Sequence, residues 1–198
     1  MERWHARISE HLKQSADLKL RTADVAWSSI AAAIELIISC YRSSNHVLIC
    51  GNGGSAADAQ HMSAELMNRL SSSLERPGLP ALALTTDTSF LTSYANDVGY
   101  EGIFERQITA LGRSNDVLIG ISTSGNSGNV IRAVEAAREK AMKTISLTGE
   151  GGQLASMTDV AVVVPGRDTQ YVQETLLAIE HVICAAVEEA LFANDGDD

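Results

Sequence analysis

The stretch from Asp116 to Lys140, DVLIGISTSGNSGNVIRAVEAAREK, changes character twice. Asp116–Ile121 is continuously apolar after its opening aspartate, Ser122-Thr-Ser-Gly-Asn-Ser127 is a polar turn, and Ser127–Lys140 has helical spacing. An aliphatic run without alternation suits a strand covered on both faces, because neither face meets water. Strand, tight turn and helix in succession make one half of a parallel crossover.

The same succession recurs along the chain. His46–Cys50 leads into Gly51-Asn-Gly-Gly-Ser55 and a helical segment from Ser55 to about Leu70. Ala81–Leu84 leads into Thr85–Thr88, Thr144–Leu147 into Thr148–Gly152, and Val160–Val164 ends the series. The pattern predicts an α/β fold with a parallel sheet sandwiched by helices. Two helical stretches, Arg3–Lys19 and Thr22–Tyr41, precede the first strand, and a long one, about Thr169–Leu191, follows the last. The expectation is a single domain over 1–198, with N-terminal helices at 1–43, an α/β core at 44–168 and a C-terminal helix at 169–193. The flanking helices are richer in apolar residues than one domain needs, which points to contacts between copies.

Composition narrows the function classes. A chain of 198 residues with 45% hydrophobic and 20% charged residues is globular rather than disordered. Its net charge of −10 argues against a nucleic-acid groove or an anionic membrane surface, since both select for excess Lys and Arg. Cys40, Cys50 and Cys184 form no C-x-x-C pair, so reduced thiols are expected. The polar start MERWHARISEHLKQ lacks an apolar signal core, and no apolar run approaches the ~20 residues of a spanning helix. The reading is of a soluble cytoplasmic chain. Ser71-Ser72-Ser73 and the acidic tail Asp195–Asp198 read as solvated segments.

Ligands of such sheets bind at the carboxyl ends of the strands. Ser122, Thr123, Ser124 and Ser127 there offer hydroxyls beside a helix start, a ready anion site; one N-cap alone would need one such residue. Gly51, Gly53 and Gly54 allow a sharp turn with backbone close to a ligand, and Ser55 is placed to cap the next helix. The turn is neither G-x-G-x-x-G nor G-K-[ST], which disfavours dinucleotides and P-loop chemistry. His61 and Glu65 are four apart and share a helix face. Alone they would read as an ion pair, but their helix leaves directly from the glycine turn. Gln173 and His181, two turns apart, also share a face, within an otherwise apolar segment. Glu174 reads as a surface acid and Asn96-Asp97 as a turn.

With these residues laid out, the chain resembles the sugar isomerase (SIS) domain family. The resemblance is carried by CGNGGSAADAQHMSAEL (50–66), RPGLPALAL (76–84), YANDVGYEGIFERQ (94–107), the long segment 111–152, and the Q-x7-H of 173–181. It implies a flavodoxin-like five-stranded parallel sheet, a homotetramer with sites shared between subunits, and isomerisation of sedoheptulose 7-phosphate to D-glycero-D-manno-heptose 7-phosphate for surface polysaccharide. The family's phosphate loop falls on Ser122, Thr123, Ser124 and Ser127. Its substrate contacts fall on Asn52, Gly53, Gly54, Ser55, Glu65, Arg69, Asn96, Asp97 and Gln173. The resemblance makes Glu65 the base and His181 the acid, and it places one Zn²⁺ per subunit on His61, Glu65, Gln173 and His181, as a catalytic or a structural ion. Relatives often carry arginine where this chain has Tyr171.

Two other readings compete. A non-catalytic relative binds the replication initiator; it lacks the glutamate of H-x-x-x-E and carries arginine for the second serine of the loop. Here Glu65 and the loop STSGNS both favour the enzyme. A sugar-phosphate sensor would usually join a DNA-binding segment, and no stretch of this chain is basic enough for one.

Overall fold

The computed structural model describes residues 1–71 and 74–193, so Ser72, Ser73 and the tail Asp195–Asp198 lie outside the described residues. Helix α1 (Glu2–Arg42) precedes strand β1 (Val47–Gly51), and helix α2 (Gly54–Met67) leads to β2 (Ala81–Ala83). Helices α3 (Thr88–Asp97) and α4 (Ile103–Leu111) follow, with a 3-10 turn at Tyr100–Gly102 between them. Then come β3 (Val117–Ser122), α5 (Gly128–Glu139), β4 (Lys143–Gly149), β5 (Val160–Val164) and α6 (Thr169–Phe192).

The five strands pair in the order β2-β1-β3-β4-β5, parallel throughout. Strand order reverses direction between β1 and β3. Loops leaving those two strands pass to opposite faces and open a crevice at their carboxyl ends. The glycine turn 51–55 and the serine loop 122–127 are those two loops.

Every residue of β1 and β3 is buried, as continuous aliphatic runs require. Successive side chains point to opposite faces. Val47, Ile49, Val117, Ile119, Ile145 and Val162 form one core with Ile37, Met62, Leu66, Leu176 and Ile183 of α1, α2 and α6. Leu48, Cys50 and Leu118 form a second with Phe104, Ile108, Val130 and Val134 of α4 and α5. Cys40, Cys50 and Cys184 are free and buried.

The two expected N-terminal helices are one helix of 41 residues. Thr22, the expected start of the second stretch, donates its hydroxyl to the Leu18 carbonyl at 2.7 Å and stays inside the helix. With no Pro or Gly in Glu2–Arg42, nothing stops propagation. At ~60 Å, α1 far outruns the sheet. Its first buried residue is Ser15, while Trp4, Ile8, Leu12, Leu20 and Trp27 are all exposed. It also holds an 18-residue window of mean hydropathy 1.5, long and apolar enough by composition to cross a bilayer. In this fold Ala33, Ile37, Ile38 and Tyr41 of the helix are buried in the core.

Candidate active site

Gly53 takes the left-handed conformation (φ 56°) and is the N-cap position of α2, so Ser55 is not the cap but a buried residue of the first turn. Gly54 is required by a close approach. A Cβ there would lie 2.6 Å from the amide carbon of Gln173 on α6.

Helix α6 runs alongside α2 in the same direction. Gln173 meets Asp58, and further along His181 meets Glu65. His61 Nε2 and His181 Nε2 lie 3.0 and 3.3 Å from Glu65 Oε1. The two ring nitrogens are 2.9 Å apart. The Glu65 side chain is 9% exposed against 45% for each histidine, so the carboxylate forms the floor and the imidazoles the rim. Glu65 Oε2 is buried without a hydrogen-bond partner. A carboxylate with one bare oxygen, facing two imidazoles, can take up a proton or ligate a cation.

The ligating atoms of His61, Glu65 and His181 lie within 4.8 Å of one another, a possible metal-binding group. Two imidazole nitrogens and a carboxylate, one of whose oxygens is buried without a partner, suit zinc chemically. Gln173 sits beside this group rather than within it. Its Nε2 donates to both oxygens of Asp58 at 3.2 Å, which leaves Oε1 outside that contact. Burial raises the Asp58 carboxyl, against the opposing pull of Gln173 and His61.

Glu180 is fully buried and neither of its oxygens has a partner. Burial, then the charges of Asp58 and Glu65, push it up to about 9. Folded-state affinity for the proton is raised, so between pH 4.5 and about 9 the folded chain holds a proton that the unfolded chain releases. Stability is therefore present at low pH and lost as pH rises, by up to about 1.4 kcal/mol per pH unit. Urea unfolding with a chelator at several pH values should show this slope, and Glu180→Met should flatten it. Equal slopes in the two proteins would remove Glu180 as the cause.

The serine loop is internally ordered. Ser122 Oγ is 2.9 Å from Ser127 Oγ and 3.5 Å from Ser124 Oγ. Ser127 occupies the N-cap position of α5, yet no side chain caps that helix. Its hydroxyl turns to Ser122 instead. Gly125 (φ 65°) lets the loop lie against the next one, since a Cβ there would come 2.8 Å from Gly152 Cα. Asn126 Oδ1 accepts the Gln153 N–H at 3.2 Å, and the half-buried Thr123 accepts the Gly149 N–H through its carbonyl at 3.2 Å. Glu101 sets its carboxylate against Gly128, so this helix end already has one acid beside it.

A family model described as "SIS domain" matches residues 10–149. The chain belongs to the SIS domain family. Curated relatives called phosphoheptose isomerase, from Shewanella sp. (strain ANA-3) and Shewanella oneidensis, are each 48% identical over 96% of this chain and 97% of theirs. A phosphoheptose isomerase structure from Neisseria gonorrhoeae superposes with a TM-score of 0.88 at 42% identity, covering 94% of this chain and 99% of that one. A phosphoheptose isomerase from Francisella tularensis gives a TM-score of 0.88 at 37% identity over 93% and 97%.

Among the positions that the SIS resemblance singled out, some stand apart from the His61–Glu65–His181 group. Arg69 is exposed just beyond α2. Asn96 and Asp97 end α3 rather than forming a turn, and Asn96 donates to Asp97 at 2.8 Å. Asp87 starts this helix by accepting the Phe90 N–H, which a reading of Thr85–Thr88 as a bare turn missed. Glu174 is no free surface acid, as it lies 2.9 Å from His11. Tyr171 packs its ring 4.8 Å from that same His11.

Three further groups went unread in the sequence. Asn129 and Tyr100 bind Asn52. Asp58 holds Gln173. Arg76 joins α6 to the end of α2: it meets Glu188 at 2.9 Å and donates to the carbonyls of Glu65 and Leu66, each at 2.9 Å.

Proposed function

We propose that this chain isomerises sedoheptulose 7-phosphate to D-glycero-D-manno-heptose 7-phosphate, the entry to heptose for surface polysaccharide. The observation that carries the reading is the meeting of Glu65 and His181 at 3.3 Å, with the carboxylate buried and the imidazole at the rim. Membership of the SIS family and the named phosphoheptose isomerases among its relatives support the substrate.

Ketose and aldose differ by a proton on each of two adjacent carbons and their oxygens. Glu65 takes the proton from C1 while His181 gives one to the C2 carbonyl oxygen, forming a cis-enediol. Glu65 then returns its proton to C2 as His181 receives the C1 hydroxyl proton, so both groups end as they began. Ser122, Thr123, Ser124 and Ser127 hold the phosphate with the uncapped end of α5. Asn52, Gly53, Gly54 and Ser55 hold sugar oxygens, joined by Arg69, Asn96, Asp97 and Gln173.

His61, Glu65 and His181, with Oε1 of Gln173, would hold one Zn²⁺ per subunit. Such an ion supplies Lewis-acid polarisation of substrate oxygens. The exposed apolar residues of α1 support self-association, and we read the assembly as a homotetramer working in the cytoplasm. The initiator-binding alternative has no support among the relatives, and Glu65 stands in the site.

An NMR time course with purified protein and sedoheptulose 7-phosphate, with zinc added or chelated, tests the reading. The expected result is a new aldose signal. No conversion under either condition, at native assembly size, would overturn it.

A further inference from the structure

The amide of Asn52 is held on nearly every side. Its Nδ2 donates to Asn129 Oδ1 at 2.8 Å, and its Oδ1 accepts from Asn129 Nδ2 at 2.8 Å. The Tyr100 hydroxyl donates to the same Oδ1 at 2.8 Å. A primary amide offers two N–H donors and two oxygen lone pairs. Three of these four are taken, both lone pairs among them, so Asn52 has one N–H left to offer a ligand.

Asn129 belongs to the first turn of α5 and is 2% exposed. Asn52 belongs to the turn after β1. Their reciprocal pair therefore joins the two loops that flank the crevice, one assigned to sugar oxygens and the other to phosphate. A part-buried amide pair in register fixes both rotamers, and the buried Asn129 left alone would strand a donor and an acceptor.

We propose that Asn129 is a positioning residue: through Asn52 it sets the spacing of the glycine turn from the serine loop and aims the single free Asn52 N–H at a sugar oxygen. Tyr100 occupies the second lone pair of the Asn52 oxygen. The inference rests on the isomerase reading for the identity of the sugar, but the geometry concerns any phosphorylated sugar that spans both loops.

Calorimetric titration of sedoheptulose 7-phosphate and of inorganic phosphate into wild type, Asn129→Leu and Asn129→Ser tests it, alongside turnover. Leucine keeps the volume and serine keeps a small polar group, so two variants guard against a folding defect. The expected result is a loss of about tenfold in sugar-phosphate affinity with the phosphate affinity unchanged. In an Asn52→Ala background the same change at Asn129 should have less than about twofold further effect, because the path runs through Asn52. Unchanged sugar-phosphate affinity overturns the inference, as does an equal loss for both ligands, or a loss that persists in full without Asn52. Failure of the isomerase reading would show separately, as wild type that binds both ligands but leaves the sugar phosphate unconverted.

Discussion

Glu65→Gln is expected to lower kcat for sedoheptulose 7-phosphate by about 10²-fold or more, the usual scale for a lost general base. Glutamine keeps the size of the side chain and an oxygen facing His61 and His181, so the fold persists. What disappears is the ability to carry a proton between C1 and C2. The burial of Glu65 sharpens the test: Oε2 has no partner, so the variant places an amide N–H there at a stability cost of about 1–3 kcal/mol. Thermal unfolding separates that modest cost from the catalytic one. KM should change much less than kcat if, as proposed, the serine loop binds the phosphate independently. Zinc content measured on the same sample distinguishes loss of the base from loss of the metal. Turnover within a few-fold of wild type, in a folded variant, removes Glu65 from its role.

Much of the sheet was legible because strands buried on both faces leave unbroken aliphatic runs. His46–Cys50 became Val47–Gly51, and Asp116–Ile121 became Val117–Ser122, shifts of one residue. Short helices were harder. Helix α4 has nine residues and buries only Ile103, Phe104 and Ile108, too few to display a period. Helix α1 was read as two stretches, Arg3–Lys19 and Thr22–Tyr41, but it runs unbroken through Thr22, whose hydroxyl bonds back to Leu18.

In the site, spacing showed that His61 shares a face with Glu65 and Gln173 with His181. It could not show that the two faces meet, since His61 and His181 are 120 residues apart. That follows from α2 and α6 packing on the same side of the sheet. The Asn52–Asn129 pair crosses 77 residues and depends on β1 and β3 being neighbours. Glu180 resembled any acid next to a histidine; its burial was invisible until α6 had a partner on that side.

The end of α2 carries the second large effect. Arg76 and Glu188 have side chains 1% and 3% exposed and meet at 2.9 Å. Burial alone would raise the Glu188 carboxyl, but the N–H groups of Leu70 and Ser71 and the Arg76 guanidinium outweigh it and hold it below the usual range. Arg76→Met strands that carboxylate and uncovers the Glu65 and Leu66 carbonyls. Removing one partner of a buried pair costs about 3–5 kcal/mol, and the Leu70 and Ser71 N–H groups that stay on Glu188 place the loss toward the lower end. Arg76→Met with Glu188→Met should recover much of that loss in urea denaturation, though not all, since the backbone groups of Leu70, Ser71 and Glu65 lose partners too. Arg76→Lys should fall between, as an ammonium keeps the charge without the planar fork that reaches carboxylate and carbonyls together. If the double variant is no more stable than Arg76→Met, the stranded charge is not the source of the cost, and the uncapped end of α2 is. In that case turnover should fall along with stability, because the same carbonyls belong to the turn that carries Glu65.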